Sequence, residues 1–250
     1  MAHPFEVRAE VTVDASPDEA WEAITNGPQI DSWLLGRTEI EPRPGGAVRT
    51  DFGGLVLEST IIAWEPGKRL AYRGAEAPDG SVMAFEYTIE GQGGGTTTIR
   101  FVHSGFLGGE DWEAQYDALK KGDPMYLHKL AQYLTHFRGR VAAKNLFVPL
   151  QGPFDKARAW AAFHRALGLA EPFKVGDRVS AALDGLPRVE GVVDFVSDDC
   201  LGVLAQDGLY RFIHGHDGSV VVEHHIFSDE LARRESPESW QAWLTKVLAS

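Results

Sequence analysis

The sequence predicts an α+β fold in which an antiparallel sheet is covered by one long helix, followed by a smaller unit of the same kind. Strand-like runs separated by glycine and proline turns fill residues 47–104, a pattern typical of an antiparallel meander. An amphipathic helical segment at 123–137 comes next and can cover the apolar face of that sheet. Residues 176–203 then repeat the pattern of residues 45–72 without a gap.

The chain opens with a strand, FEVRAEVTV at 5–13, and a capped helix, SPDEAWEAIT at 16–25. Ser16 can accept a hydrogen bond from the backbone of Glu19, whose carboxylate can return it, and Pro17 suits the first helical position. Trp21 falls on the apolar stripe of this helix, so we expect it to face the core.

The closing helix is predicted to start at Asp123, which can cap it, with Pro124 as its first residue. The preceding segment, EDWEAQYDALKKG at 110–122, is predicted to be a separate short helix. One side of the closing helix carries the apolar side chains Tyr126, Leu127, Leu130, Tyr133, Leu134 and Phe137.

The second half of the chain is interpreted as a degenerate duplicate of the first. Glycines as well as apolar positions agree between 45–72 and 176–203, although any two meanders share an alternating apolar pattern. We therefore predict a domain at 1–140 and a smaller, degenerate one at 150–250, with the boundary between Arg138 and Phe154.

Composition excludes several classes of function. The formal net charge of -12 disfavours binding to nucleic acid or to an anionic membrane surface, since both require a basic face. The chain has no export signal and no apolar stretch long enough to span a membrane, so we expect a cytoplasmic protein. Cys200 is the single cysteine, which excludes an intrachain disulfide.

Five segments in order carry a family resemblance: SPDEAWEAITNGPQIDSWL, PGGAVRTDF, IIAWEPGKRLAYRG, FVHSGF and YLHKLAQYL. Together, residues 5–138 resemble the START-like (SRPBCC) superfamily, and within it the branch named after the activator of the Hsp90 ATPase. The resemblance implies a helix-grip fold, a curved antiparallel sheet around a long C-terminal helix with a cavity between them. The family often has a Gly-Trp pair before that helix, whereas here Gly122 is followed by Asp123.

Histidines provide one candidate metal site. A two-residue turn at Asp217-Gly218 would place His214, His216, Glu223 and His225 on one face of a hairpin. Two histidines and a carboxylate could hold a metal. Because the opposite face is the apolar one, we interpret the histidine face as solvated and predict neither a metal nor another cofactor.

His103 is the one plain candidate for chemistry inside the first unit. It alternates in phase with Ile99 and Phe101, so it points inward, where it is either satisfied by a neighbour or orients a ligand. Ser104 points to the opposite face and cannot be its partner. We assign no catalytic residue.

We predict a ligand site between the first sheet and the closing helix. Its residues are Trp33, Phe85, Tyr87, Phe101, His103, Tyr126, Leu130 and Tyr133. The set is mostly apolar with a few polar tips, as in sites that bury a small molecule, and a drug-sized ligand needs roughly 300 Å³.

Three functions fit this prediction. The leading one is non-enzymatic binding of a small hydrophobic or amphipathic molecule in the helix-grip cavity. The alternatives are an enzyme of the polyketide cyclase or aromatase type and a co-chaperone-like interaction module, and the sequence also allows a protein partner or a homodimer. Fold analogy alone supports each of them.

Overall fold

Two units make up the chain, Met1–Val141 and Ala142–Ser250, in a computed structural model that describes residues 2–249. In the first unit, one strand and two helices precede a meander of six strands, and one helix follows it. The strands are β1 (His3–Val13), β2 (Arg37–Ile40), β3 (Ala47–Asp51), β4 (Val56–Glu65), β5 (Arg69–Gly74), β6 (Val82–Gly93) and β7 (Thr96–Leu107). The helices are α1 (Pro17–Thr25), α2 (Gly27–Ile30) and α3 (Trp112–His136).

All seven strands form one antiparallel sheet in the order β1-β7-β6-β5-β4-β3-β2. The first strand therefore lies beside the last, with Ala9 opposite Phe101. The α+β fold class predicted from the sequence is confirmed. The short edge strand β2 was not predicted, because its four residues carry too little alternation to be distinguished from the loop before it.

The start of α1 has the predicted geometry. The backbone amide of Glu19 donates to the hydroxyl of Ser16 at 3.2 Å, and the Ser16 amide donates to the Glu19 carboxylate at 2.8 Å. Trp21 is buried and meets the ring of Trp64 edge-on, with the ring centroids 5.0 Å apart. The helix thus covers one end of the sheet with its tryptophan.

One continuous helix, α3, replaces the two helices predicted around residue 123. It runs through Pro124, and Asp123 lies inside it with no capping role. Proline ends many helices because it lacks an amide hydrogen, but here only the bond to the carbonyl four residues earlier is lost. The buried residues of α3 all follow Pro124, so packing on the sheet anchors its second half.

The second unit has the same plan with one strand fewer. Its strands are β8 (Lys144–Leu150), β9 (Arg178–Ala181), β10 (Val189–Val196), β11 (Cys200–Ala205), β12 (Gly208–His214) and β13 (Val220–Ile226). Its helices are α4 (Lys156–Leu167), α5 (Asp229–Arg234) and α6 (Pro237–Leu248). The sheet order is β8-β13-β12-β11-β10-β9, so again the first strand lies beside the last.

Strand pairing in the second unit departs by one residue from the ungapped alignment. The ungapped alignment matches Ile61 with Val192. In the sheet of the second unit, however, the residue that holds the position of Ile61 is Val193. Beyond it, Trp64 pairs with Leu70 in the first unit, and Val196 pairs with Leu201 in the second. Val196, not Phe195, therefore holds the sheet position of Trp64.

A bulge interrupts the same strand in both sheets. In β4 it falls between Ile61 and Ala63, and in β10 between Val193 and Phe195. The extra residue is Ile62 in the first unit and Asp194 in the second.

The core of the second unit lies between its sheet and the helices α4 and α6. Phe163 of α4 packs on Phe212 with ring centroids 5.4 Å apart, and Trp240 and Trp243 of α6 meet edge-on at 5.4 Å. All four side chains are buried. Among residues 2–249, no helix has the length and apolar character needed to cross a membrane.

Candidate functional site

A stack of three rings lies on one face of the first sheet. Tyr72, Phe85 and His103 are directly opposite one another on β5, β6 and β7. The ring centroids of Tyr72 and Phe85 are 5.1 Å apart, and those of Phe85 and His103 are 4.2 Å apart with planes 25° from parallel. Cross-strand alignment produces the stack, because opposite residues of an antiparallel pair project to the same face.

The histidine of this stack has a carboxylate partner on α3. Nδ1 of His103 lies 2.9 Å from Oδ2 of Asp123, and the two side chains are only 4% and 12% exposed. A carboxylate accepts hydrogen bonds, so Nδ1 is the donor. Nε2 then faces the sulfur of Met83 at 3.3 Å. The carboxylate of Asp123 therefore holds the imidazole in one orientation, with Nε2 turned toward Met83 and the candidate site.

Tyr87 and Phe101 extend the aromatic face along β6 and β7. Their ring centroids are 4.9 Å apart, and both residues are buried. Burial raises the pKa of Tyr87 well above its usual value, and the neighbouring Tyr72 and Asp123 raise it further. The phenol of Tyr87 is a neutral hydroxyl, and it is hydrogen-bonded to the hydroxyl of Tyr72.

A small cavity adjoins these tyrosines. Its volume is about 20 Å³, and Trp33, Tyr72 and Tyr87 line it together with apolar residues of α1, α2, β2 and β3. Such a space holds about one water molecule, far less than the roughly 300 Å³ of a ligand site. The aromatic side chains at this place are packed together, so this cavity is smaller than the ligand site predicted from the sequence.

The ring stack is more accessible than that cavity. Met83, Tyr72 and Phe85 are only half-buried although they lie on the inward face of the sheet. The first half of α3, residues 112–124, has no buried residue, and its Trp112 and Tyr116 contact the rings of His3 and Phe5 on β1. Both faces of Phe85 are covered by Tyr72 and His103, so a flat molecule that reached this place would contact ring edges on one side and the His103–Asp123 pair at its end.

The remaining predicted site residues belong to the second half of α3. Leu130 is fully buried, and Tyr126 is half-buried with its ring 4.7 Å from Nζ of Lys129. The Tyr133 hydroxyl donates to the carbonyl of Arg140 at 2.8 Å. The structure thus brings Phe85, Tyr87, Phe101 and His103 together on the sheet, with Trp33 lining the small cavity beside Tyr87.

Two residues that complete the site were not predicted. Asp123 was interpreted as a helix cap because Asp-Pro commonly begins a helix. Tyr72 alternates in phase with Leu70 on β5, a signal that could have placed it beside Phe85.

The proposed histidine face of the second unit was wrong in two respects. His214 pairs with Val220, and Glu223 pairs with Arg211, so His214 and Glu223 lie on opposite faces of the hairpin. The face is not solvated either, since His214, Glu223 and His225 are all buried. Nε2 of His214 donates to the carbonyl of Phe154 at 2.9 Å. Within the described part of the chain, no group of three potential metal ligands occurs.

Charged groups instead form a buried pair in the second sheet. Both terminal nitrogens of Arg211 donate to the carboxylate of Asp194, at 3.0 and 2.7 Å. Gly202 lies between them, and a Cβ there would come within 2.7 Å of each side chain. The buried pair therefore requires a glycine at this place, and its arrangement is structural.

Comparison with known families gives one match. Residues 14–135 match the family described as activator of Hsp90 ATPase homolog 1-like protein. The match covers just under half of the chain and lies entirely within the first unit. None of the curated proteins matches the sequence.

Solved structures provide three further likenesses. Protein MLL2253 from Mesorhizobium loti is 27% identical, with a TM-score of 0.46 over 52% of this chain and 96% of that one. DynU16, a putative protein in the dynemicin biosynthetic locus, is 20% identical, with a TM-score of 0.46 over 98% and 96%. The di-domain ARO/CYC BexL from the BE-7585A biosynthetic pathway is 12% identical, with a TM-score of 0.48 over 98% and 94%.

Proposed function

We propose a ligand-binding function for this chain, whose residues 14–135 match the activator of Hsp90 ATPase homolog 1-like family. The ligand is a small, flat, largely apolar molecule that lies against the rings of Tyr72 and Phe85. A single oxygen function of the ligand is oriented by His103. The observation that carries this proposal is the half-buried ring stack that ends at a shielded His103–Asp123 pair.

Physical chemistry favours a planar ligand at this place. An edge-to-face contact between the ring edges of the stack and the face of a planar ligand contributes about 1 kcal/mol beyond the area that is buried. A hydrogen bond to an imidazole held by a carboxylate fixes the orientation of the ligand, since the imidazole cannot rotate without losing Asp123. An aliphatic ligand would gain the burial but not the edge-to-face contact.

The ligand is admitted by movement of the first half of α3. The small cavity beside Tyr87 holds only about 20 Å³, so a ligand has to displace groups that cover the stack. Within this half, residues 112–122 contain no buried residue and can move, while Asp123, next to Pro124 and the anchored half of the helix, keeps its contact with His103. Displacing residues 112–122 breaks the ring contacts of Trp112 with His3 and of Tyr116 with Phe5, but it exposes no fully buried residue of the helix.

A thermal-shift titration with 1-naphthol, and with naphthalene as the apolar reference, tests the proposal. We expect 1-naphthol to raise the unfolding temperature of the wild-type protein by several degrees, and naphthalene to raise it less. Phe85→Leu keeps the apolar volume but removes the central ring, and it should weaken 1-naphthol binding at least tenfold.

Glu86→Gln is the matched control for this experiment. Its side chain pairs with Arg69 at 2.8 Å and lies next to Phe85 on the opposite face of β6. It should bind 1-naphthol like the wild type. Equal affinity of Phe85→Leu and the wild type, or no saturable shift at all, would contradict the proposal.

One observation favours the enzymatic alternative as a second candidate. Asp123 holds Nδ1 of His103, which is how a carboxylate orients a histidine that acts as a general base at Nε2. In a cyclase or aromatase, such a base would remove a proton from a carbon acid. Chromatography of bound compounds after incubation separates the two functions, because a binding protein returns them unchanged.

A further inference from the structure

A groove of about 410 Å³ lies on the second unit. It runs between the outer side of α4, the loop around Phe173 and the end of β10 with the turn that follows it. Its main lining residues are Ala157, Trp160, Ala161, His164, Phe173 and Val196. The volume falls in the range of small-molecule sites, which is roughly 300–1,000 Å³.

The groove is explained by one difference between the two units. Trp160 occupies the place in α4 that Trp21 occupies in α1. In the first unit, Trp64 of β4 covers Trp21 with ring centroids 5.0 Å apart. Val196 holds the sheet position of Trp64 in the second unit, and a valine is too small to cover Trp160. The space that an indole fills in one unit is open in the other.

Two near-parallel rings and a third ring form the aromatic part of the groove. The ring planes of Trp160 and His164 are 17° from parallel with centroids 6.0 Å apart, and Phe173 meets His164 edge-on at 4.5 Å. Ala157 and Ala161 have short side chains, so there is room for a planar molecule to lie along this part of the helix. The indole Nε1 of Trp160 donates to the carbonyl of Asp198 at 3.0 Å, which fixes the orientation of this ring.

Each end of the groove carries a polar pair. The ammonium group of Lys156 contacts the carboxylate of Asp199 at one end. Nδ1 of His164 lies 2.9 Å from the carboxylate of Glu171 at the other end. Lys156 and His164 are eight residues apart on the helix, about 12 Å at 1.5 Å per residue. A ligand therefore meets apolar rings along its middle and hydrogen-bonding groups at both ends.

We propose that this groove is a binding site for a planar aromatic molecule of two or three fused rings that carries hydroxyl or keto oxygens at its two ends. A fused ring system can continue the near-parallel stacking of Trp160 and His164. An oxygen at one end can accept a hydrogen bond from the ammonium group of Lys156, and a hydroxyl at the other end can donate one to the carboxylate of Glu171, which lines the groove beside His164. The proposal concerns a separate place from the ring stack of the first unit and does not rest on its function.

The test follows the indole N–H signal of Trp160 in a ¹⁵N-correlated NMR spectrum of the whole chain, titrated with 2,6-dihydroxynaphthalene. Trp160→Phe identifies the signal. We expect it to shift with saturation at micromolar to submillimolar probe in the wild type. Val196→Trp refills the groove as Trp64 does in the first unit, and it should weaken binding at this signal at least tenfold.

Val175→Trp is the matched control, because Val175 is 58% exposed and does not line the groove. It should bind the probe like the wild type. If Val196→Trp does not fold, Ala161→Leu blocks the groove from the exposed side of α4 with a strong helix former. An unmoved Trp160 signal at millimolar probe, or equal binding in the refilled variants, overturns the proposal. Shifts confined to signals of the first unit overturn it as well.

Discussion

At the scale of single residues, Asp31 carries an unusual electrostatic cost. Its carboxylate accepts a hydrogen bond from the Thr38 amide at 2.8 Å, yet burial dominates and raises its pKa to about 6. The unfolded chain protonates this group near its ordinary value of 3.8. Between these two values the folded state binds more protons, so the contribution of Asp31 to stability is present at low pH and is lost as the pH rises through 6.

Asp31→Asn should therefore stabilise the first unit at neutral pH. The amide oxygen of asparagine still accepts from Thr38, and no charge has to be buried. We expect a gain on the order of 1 kcal/mol at pH 7, allowing for the partial exposure of the side chain. The gain should disappear below about pH 4, where the wild-type carboxyl is protonated in both states.

Urea unfolding of both proteins between pH 4 and 7 measures this difference. Thr25→Val, which removes a hydroxyl bonded inside α1, is a useful comparison because its effect should not depend on pH. A stability difference between Asp31→Asn and the wild type that stays constant over this range would contradict the assignment.

For His103 the sequence predicted the face of the strand, but it did not predict that Asp123 is the partner of this side chain. Alternation along β7 placed His103 on the inward face, and the structure has it there. Its partner could not be found, because Asp123 precedes a proline and local rules make it a helix cap. The contact between them joins residues on two elements, and only packing determines it.

At the scale of elements, α3 consists of two halves with different support. Residues 125–136 contain all of its buried side chains, whereas residues 112–124 contain none. Pro124 also removes the hydrogen bond to the carbonyl of Lys120. Local stability follows buried contacts, so the first half should open without the second.

Hydrogen exchange should report this division directly. We expect amides of residues 113–123 to exchange at least tenfold faster than those of residues 127–136. Pro124→Ala restores the missing donor and should narrow the difference, since alanine favours the helix by about 3 kcal/mol over proline. Uniform protection along α3 in the wild type would exclude an independently opening segment.

The hairpin of β12 and β13 shows why faces were harder to predict than strands. Both strands were recognisable, but a two-residue turn at Asp217-Gly218 was assumed. The observed connection spans residues 215–219 and pairs His214 with Val220. A shift of one residue in register exchanges the two faces of a strand, so the histidine grouping was lost with the turn.

At the scale of the whole molecule, the two units contain buried groups that respond to acid in opposite directions. Burial lowers the pKa of His224 to about 3, because its ring is enclosed by Tyr210, Phe212 and Trp240. The unfolded chain protonates it near 6.5, so its contribution to stability is lost as the pH falls from 6.5 toward 3. The contribution of Asp31 to the stability of the first unit instead increases as the pH falls from about 6 toward 3.8.

Acid should therefore open the second unit first. The pKa shift of His224 corresponds to a loss of up to about 4 kcal/mol by pH 3. Pulsed hydrogen exchange with mass spectrometry at pH 7, 5 and 4 should detect unfolding in peptides of residues 142–249 before those of the first unit.

His224→Asn isolates the titration from the packing. Its amide oxygen can accept the hydrogen bond that Nδ1 of His224 receives from the Arg211 amide at 3.2 Å. The variant should be less stable at pH 7 because it leaves a cavity beside Trp240, but its stability should fall less steeply with acid. An unchanged slope would assign the acid response to another group.

The bulge in β4 and β10 has a consequence for the history of the chain. An alternating apolar pattern arises in any meander, but an inserted residue at the same point of the same strand does not follow from that pattern. We propose that both sheets inherited it from a single ancestor. The residue it adds then diverged freely: Ile62 is 60% exposed, whereas Asp194 is 7% exposed and binds Arg211. One inherited irregularity thus became a solvent-facing side chain in one copy and the anchor of a buried ion pair in the other.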